Sequence, residues 1–91
     1  MSIEILTDEQ LDKMRHAVGM SDYPRRKWGF RNRYAVGSGD VDALNDWDVL
    51  VNKGLASGGN RGGSVVMYHL TIAGCEAIGM HKSAIKRAME E

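Results

Sequence analysis

Apolar residues recur at helical spacing near the start of the chain. The core-facing stripe consists of Leu11, Met14 and Val18. Spacings of three and four residues place these side chains on one face of an α-helix. Thr7 and Gln10 have the spacing of a capping box, in which each side chain accepts a hydrogen bond from the other residue's backbone N–H. The pattern predicts a helix that begins after Thr7 and ends at Gly19.

A second apolar stripe marks a helix in the middle of the chain. Its residues are Leu44, Trp47, Leu50 and Val51. Residues 37–40, GSGD, have the composition of a turn followed by a helix cap, so we expect the helix over residues 41–53. Gly54 then occupies the position at which a left-handed residue ends many helices.

The pattern next changes to the alternation of a β-strand. We expect a hairpin over residues 55–70, with a glycine-rich tip at residues 57–64 and its second strand at residues 65–70. One side of that strand carries Val66, Tyr68 and Leu70. Since alternate residues of a strand share a face, this side is expected to be buried.

Two helices are expected after the hairpin. Thr71 caps the first, over residues 72–80, in which Gly74 allows close approach to a neighbouring element. The second is a C-terminal tail helix at residues 81–91. Its apolar stripe consists of Ala84, Ile85, Ala88 and Met89. This stripe either packs on the first helix or contacts a second copy of the chain, and the sequence leaves both open.

The order of these elements predicts the fold class. A helix, a β-hairpin wing and a further helix form the second half of a winged helix, so we expect a small α+β, winged-helix-like domain with three to four helices. A length of 91 residues suits one domain over residues 1–91, with residues 1–6 as an N-terminal lead.

Charge is segregated along a chain whose formal net charge is zero. The net charge is −3 over residues 1–22, +5 over residues 23–34, −4 over residues 35–52 and +2 over residues 53–91. Such blocks indicate either distinct basic and acidic surface patches or patches that neutralise each other inside the molecule.

The composition suggests a cytoplasmic protein without a membrane partner. The apolar and charged fractions of 43% and 26% are ordinary for a globular domain. No apolar run approaches the roughly 18 residues of a membrane span. The N-terminus lacks the basic start and apolar stretch of a secretory signal. Cys75 is the single cysteine and lies in an apolar context, so we expect a small buried hydrophobe.

One stretch has the composition of a binding site. In residues 25–34, RRKWGFRNRY, cations alternate with aromatic residues, which suits pairing with phosphates, stacking on bases or anchoring a protein interface. The candidate partner- or nucleic-acid-binding residues are Arg25, Arg26, Lys27, Trp28, Arg31 and Arg33, with Arg61 in the predicted wing. The alternative interpretation makes Trp28, Phe30 and Tyr34 core residues of an extended segment, with its arginines solvated on the other face. Both can hold at once.

The sequence does not indicate catalysis. The histidines and cysteine at positions 69, 75 and 81 are six residues apart, unlike compact zinc-ligand pairs. Asp46 and Asp48 are two residues apart on a predicted helix and therefore point in different directions. We expect no enzymatic activity, no catalytic residues, no metal and no cofactor.

Residues 50–78 resemble part of a known family. LVNKGL at residues 50–55, the hairpin, and LTIAG at residues 70–74 are similar to the helix end, wing and next helix start of MarR-type winged-helix proteins. The resemblance implies a winged-helix topology in which the helix ahead of the wing enters the DNA major groove. Here that helix carries three aspartates and no base before Lys53, a charge that phosphates repel.

Four motifs resemble a group of small proteins encoded by tailed bacteriophages and prophages. They are LDKMRHAVG at residues 11–19, RNRYAVGSGD at residues 31–40, LVNKGLA at residues 50–56 and HLTIAG at residues 69–74. The resemblance implies a compact binding protein that acts in the bacterial host cytoplasm and redirects or blocks host machinery, with anti-CRISPR-type inhibitors included.

Three functions follow from these observations. The first is a non-enzymatic, phage-encoded binding protein that modulates or inhibits a host macromolecular complex by protein–protein contact, its partner being a host or phage protein complex. The second is a winged-helix DNA-binding regulator. The third is a small phage assembly or structural subunit. Whatever the function, we expect a monomer or a homodimer through the C-terminal helix, with nucleic acid as a possible partner. Net neutrality and the acidic helix favour the first.

Overall fold

The structure is a computed structural model, and it describes residues 6–20 and 23–90. The predicted α+β, winged-helix-like class is confirmed. The elements in chain order are α1 (Asp8–Ala17), a 3₁₀ turn (Arg25–Lys27), β1 (Tyr34–Gly37), α2 (Val41–Asn52), β2 (Ala56–Gly58), β3 (Val65–Leu70), α3 (Ile72–Ala77) and α4 (Lys82–Glu90). Of the predicted N-terminal lead, residues 1–5 lie outside the described part of the chain.

Helix α1 begins at the predicted capping box. The Thr7 hydroxyl accepts a hydrogen bond from the Gln10 backbone N–H at 3.1 Å, and the Thr7 N–H donates to Gln10 Oε1 at 3.0 Å. The chain leaves the helix through Gly19, whose φ of +83° lies in the left-handed region that glycine tolerates. Both ends of α1 are therefore set by local sequence, as predicted.

The sheet has three antiparallel strands in the order β1-β3-β2. The hairpin of β2 and β3 is confirmed, and β3 alternates exposed and buried side chains, with Val66, Tyr68 and Leu70 inward. Strand β1 was not predicted as a separate strand. It pairs with β3 in the register Tyr34↔Tyr68 to Gly37↔Val65. Four residues that end in glycine are too short to give a distinct alternation signal.

The expected extended segment over residues 28–34 is wrong for its first part. The chain forms a 3₁₀ turn and an irregular loop before it becomes a strand at Tyr34. Trp28 and Tyr34 pack against the core, as the core interpretation requires, but Phe30 is 45% exposed. The alternation expected of a strand does not bury Phe30, because the backbone at residue 30 is not yet in a strand.

The core lies between the inner face of the sheet and the helices. Trp47 of α2 is fully buried at its centre. Its ring stacks on Tyr68 with 5.3 Å between centroids and lies 5.2 Å from Tyr34. Cys75 is also fully buried, as expected. Aromatic contacts thus join α2 to the two strands behind it.

Helix α3 is shorter than the predicted 72–80. It ends at Ala77, and Gly79 at φ +80° lets the Met80 N–H donate to the Cys75 carbonyl at 3.1 Å. This is the hydrogen bond of a Schellman motif. The predicted close approach at Gly74 is observed, since a Cβ there would lie 2.0 Å from the Leu55 carbonyl oxygen.

The connection between β1 and α2 consists of residues 38–40 alone. A winged helix places a helix-turn-helix ahead of the wing. In the described residues between α1 and α2, the helical backbone is limited to the 3₁₀ turn. Within residues 23–40, which the structure describes, no second α-helix lies between α1 and α2.

The longest helix among the described residues is α2, with 12 residues. None of the described helices has the length and apolar content that a membrane crossing requires.

Candidate binding surface

Two aromatic side chains are exposed beside the C-terminal end of α1. Tyr23 is 40% exposed and Phe30 is 45% exposed. Their rings meet edge to face with 4.7 Å between centroids. A Cβ on Gly19 would lie 2.7 Å from the Phe30 ring, so the ring sits directly over this glycine. The pair is consequently held in place although it is open to solvent.

Gly29 fixes the loop that carries Phe30. Its N–H donates to the carbonyl of Val18 at 2.9 Å, which ties the loop to the end of α1. On the other side a Cβ would lie 2.2 Å from the Ala84 carbonyl oxygen of α4. With φ at +84°, position 29 needs glycine both for its backbone conformation and for this close approach.

Arg87 of α4 holds the same loop from outside. Its guanidinium donates to the Trp28 carbonyl from Nη2 at 2.7 Å and from Nε at 3.2 Å, and Nη2 also reaches the Arg26 carbonyl at 3.2 Å. The Trp28 indole N–H donates to the Tyr23 carbonyl at 3.0 Å. These bonds join α4, the 3₁₀ turn and the aromatic pair into one structural unit.

Arg31 lies behind the aromatic pair. It donates to the His16 carbonyl from Nη2 at 2.8 Å and from Nε at 3.3 Å. Its guanidinium carbon is 5.9 Å from the Tyr23 ring centroid and 5.5 Å from that of Phe30. A cation at a helix C-terminus is favourable, and so is a cation over aromatic rings. Arg31 therefore supports the exposed rings from the end of α1.

We define the basic–aromatic surface by the five residues that line one shallow concavity of about 350 Å³: Tyr23, Arg26, Lys27, Phe30 and Arg87. A second concavity of about 470 Å³ shares Arg26 and Arg87 and extends past Trp28 to the first turn of α4. Among the described residues that line the two, none is acidic. The surface combines apolar rings with concentrated positive charge.

The structure places the binding residues predicted from the sequence on different parts of the molecular surface. Arg26 and Lys27 lie on the basic–aromatic surface, and Trp28 is half-buried beneath it. Arg33 lies elsewhere, beside a concavity on the outer face of the sheet. Arg25 begins the 3₁₀ turn, and its side chain lies outside the described structure. The basic stretch thus serves more than one part of the surface.

Arg61 of the wing is bound to α2. Its Nη2 contacts Asp48 Oδ2 at 2.7 Å, and its Nη1 donates to the Tyr68 hydroxyl at 2.9 Å and to the Gly59 carbonyl at 2.8 Å. The Tyr68 hydroxyl in turn donates to Asp48 Oδ1 at 2.9 Å. Asp48, Tyr68 and Arg61 form a closed triangle that fastens the wing to the helix before it.

The triangle raises the pKa values of Arg61 and Tyr68. Hydrogen bonding to Asp48 raises the pKa of Arg61. Burial, reinforced by Asp48, raises the pKa of Tyr68. Elsewhere on α2, Asp46 lies 3.0 Å from Lys13 Nζ. Burial lowers the pKa of Lys13, but the bond and charge of Asp46 outweigh it and the net direction is upward. Two of the three α2 aspartates are thus paired inside the molecule.

Sequence reasoning missed Tyr23 and Arg87 as members of the surface. Tyr23 precedes the basic stretch and has no neighbouring periodicity. For Arg87 the sequence held one indirect indication. Ala84 and Ala88 on the same helix are small, which allows a neighbouring backbone to approach α4 beside Arg87. Both alanines are buried, and Gly29 approaches them.

The described residues contain no group of three His, Cys, Asp or Glu side chains that could hold a metal ion. Burial, with a smaller contribution from Glu76, raises the pKa of the Cys75 thiol to about 11. At neutral pH this sulfur is a protonated core group and not a nucleophile. The arrangement at the surface is suited to recognition by charge and apolar contact.

Comparisons of the chain with protein-family models, with curated proteins and with solved structures give no match.

Proposed function

We propose that this chain is a non-enzymatic, phage-encoded binding protein that modulates or inhibits a host macromolecular complex by protein–protein contact. The observation that carries the proposal is the exposed pair of Tyr23 and Phe30, surrounded by Arg26, Lys27 and Arg87. The partner is a protein whose surface offers carboxylates around an apolar centre.

The composition of the basic–aromatic surface matches that of interface hot spots. Tyrosine and arginine are enriched where binding energy concentrates, because both combine large contact area with directional hydrogen bonds. The aromatic pair rests on Gly19 and Arg31, so its rings lose little conformational freedom when a partner covers them. A surface fixed before binding supports tight association.

Duplex DNA is less suited to this molecule. The exposed side chains of α2 include Val41, Asp42 and Val49, with Lys53 at the helix end as its base. Arg61, the cation of the wing, is paired with Asp48. The surfaces that a winged helix turns to DNA therefore offer little to bind phosphates, whereas the basic–aromatic surface lies at the ends of α1 and α4.

Self-association through α4 also has little support. Ala84 and Ala88 are buried within the molecule, and among the large apolar side chains of this helix Met89 is the exposed one, at 39%. The four motifs that resemble small phage-encoded proteins support an inhibitory or redirecting role in a bacterial host.

Affinity capture from bacterial lysate tests the proposal. Tagged protein is incubated with lysate, with and without nuclease, and bound proteins are identified by mass spectrometry. The proposal requires a discrete complex that survives nuclease. Recovery of nuclease-sensitive material alone would contradict it, and binding to duplex DNA that weakens steeply between about 50 and 200 mM salt would then identify phosphate contacts.

A further inference from the structure

The outer face of the sheet is open in this molecule. The side chains of β3 that point away from the core are Val65, Met67 and His69. Val65 is 51% exposed and Met67 is 37% exposed. Ala35 of β1 lies directly opposite Met67 in the strand register. Val65, Met67 and Ala35 form an exposed apolar strip across the two strands.

Two concavities meet on this strip at Met67. One, of about 390 Å³, extends from Met67 and Ala35 to Arg33 and Arg31. The other, of about 570 Å³, extends from Met67 past His69 and beneath the glycine-rich wing loop. The two share Met67, and we call them together the channel: it extends from β1 across β3 towards the wing loop, with an apolar centre and two arginines at the β1 end.

The charged side chains among the described lining residues of the channel are those of Arg31 and Arg33, with His16 and His69 nearby. Neither concavity has an aspartate or glutamate among its described lining residues. The nearby acids of α1, Glu9 and Asp12, line a different concavity beyond His16. Asp48, the acid nearest the wing, is held by Arg61 and Tyr68. The channel is therefore complementary to a negatively charged segment with apolar side chains.

We infer that the outer face of the sheet binds an extended acidic segment of the protein partner. An apolar side chain of that segment rests on Ala35 and Met67, and its carboxylates lie beside Arg33 and Arg31. This inference rests on the proposed function, in that the partner is a protein. Arg31 lines the channel and also lies over the rings of Tyr23 and Phe30, so it links the channel to the basic–aromatic surface, and the same partner would cover both.

A peptide segment fits the channel better than a nucleic acid strand. Non-specific binding of single strands uses exposed aromatic rings on which successive bases stack. The tyrosine that lines this channel, Tyr34, turns its ring to Trp47 and His16 instead, and the exposed rings of Tyr23 and Phe30 lie outside the channel. The centre of the channel is aliphatic and thioether surface, which suits the side chains of an extended peptide.

Backbone amide NMR with defined probes tests the inference. The ¹⁵N-labelled protein is titrated with a pool of heptapeptides in which Asp or Glu alternates with Leu, Val or Met. A matched pool carries Lys or Arg in place of the acids, and a short oligothymidylate is the nucleic acid probe. We expect the acidic pool to shift the amide resonances of Ala35, Met67 and His69, and the basic pool to leave them unchanged.

Two substitutions locate the contact. Met67→Glu is expected to weaken binding of the acidic pool by about tenfold or more. The substitution removes the apolar side chain on which the peptide rests and adds a negative charge that repels the peptide carboxylates. Val41→Glu is the control, since Val41 is 63% exposed on α2 and outside the channel. If Met67→Glu alters the resonances of core residues, Arg33→Glu tests the same contact independently and should also weaken binding of the acidic pool.

Equal shifts with both peptide pools, no shifts, or binding insensitive to these substitutions would overturn the inference. Preferential shifts with oligothymidylate would replace it with a nucleic acid site. If lysate capture is lost with Phe30→Ser but retained with Met67→Glu, the proposed function stands and the second contact fails. If capture by the unmodified protein yields no protein partner, the proposed function itself fails.

Discussion

The side-chain amide of Asn32 pairs with the backbone of Leu70 through two hydrogen bonds. Asn32 Nδ2 donates to the Leu70 carbonyl at 2.9 Å, and the Leu70 N–H donates to Asn32 Oδ1 at 2.8 Å. The amide takes the place of a backbone partner two residues before β1 begins. His69 Nδ1 adds a contact of 2.6 Å to the Asn32 carbonyl. This pairing joins the loop that carries Phe30 to the end of β3.

Replacing Asn32 with alanine should lower the free energy of unfolding by about 2–3 kcal/mol, since two backbone groups of Leu70 lose their partner in a buried site. Asn32 is 5% exposed, so water does not readily replace the amide. Urea unfolding followed by tryptophan fluorescence measures the change. Asn45→Ala, at an exposed position of α2, is the control and should have a small effect. Equal effects of the two substitutions would refute the role of the Asn32 pairing.

Gly29→Ala should destabilise the protein and displace α4. The new Cβ would lie 2.2 Å from the Ala84 carbonyl oxygen, and left-handed backbone alone costs a non-glycine residue about 1–2 kcal/mol. Gly39→Ala is matched to it, because a Cβ at position 39 meets nothing within 4 Å. Thermal unfolding should show a clear fall in the midpoint for the first variant and little change for the second. A normal midpoint for Gly29→Ala would mean that α4 does not approach the loop closely.

Tyr68→Phe should cost about 1 kcal/mol, the usual net contribution of a hydrogen-bonded hydroxyl. The ring keeps its stacking on Trp47, whereas the bonds to Asp48 and Arg61 are lost. A double-mutant cycle with Asp48→Asn should show coupling between the two positions. Additive effects in chemical unfolding would show that the wing is not fastened to α2 through this triangle.

Stability should fall as the pH rises from about 9 to about 11, in part through Cys75. The native thiol keeps its proton to a pKa of about 11, whereas the thiol of the unfolded chain loses it near the ordinary value of 9.0. The native state then binds more protons than the unfolded state, so alkali favours unfolding. Tyr68 and Lys13 act in the same direction, since both pKa values are raised. Cys75→Ala should therefore make the pH dependence of chemical unfolding shallower, and an unchanged slope would show that the thiol is not desolvated.

Local signals in the sequence predicted much of the fold. The capping box at Thr7 and Gln10, the alternation along β3 and the glycine after α2 each specify structure through neighbouring residues, and each is observed. The face of β3 that carries Leu70 is buried, because alternate residues of a strand point to the same side and this side faces the core. Strand β1 escaped prediction because its pairing with β3 joins residues far apart in sequence.

The candidate site was less accessible from sequence because it is assembled by long-range contacts. Arg26 and Lys27 are where the charge pattern indicates, but their neighbour Arg87 comes from the other end of the chain. Composition could not show that Arg31 bonds to the His16 carbonyl or that Arg61 pairs with Asp48. Arginines of the same basic stretch therefore have different roles: Arg26 lines the binding surface, whereas Arg31 is bonded to the end of α1.

The most direct test of the central claim is a comparison of partner capture by surface variants in nuclease-treated bacterial lysate. The combined variant Arg26→Glu/Lys27→Glu and the single variant Phe30→Ser change the basic–aromatic surface, and Lys86→Glu is a charge-reversal control on an exposed position of α4. Circular dichroism establishes that each variant is folded, and quantitative mass spectrometry measures the captured partner. We predict that both surface variants lose the partner and that Lys86→Glu retains it. Retention of the same partner by the folded surface variants would contradict the proposal that this surface binds it.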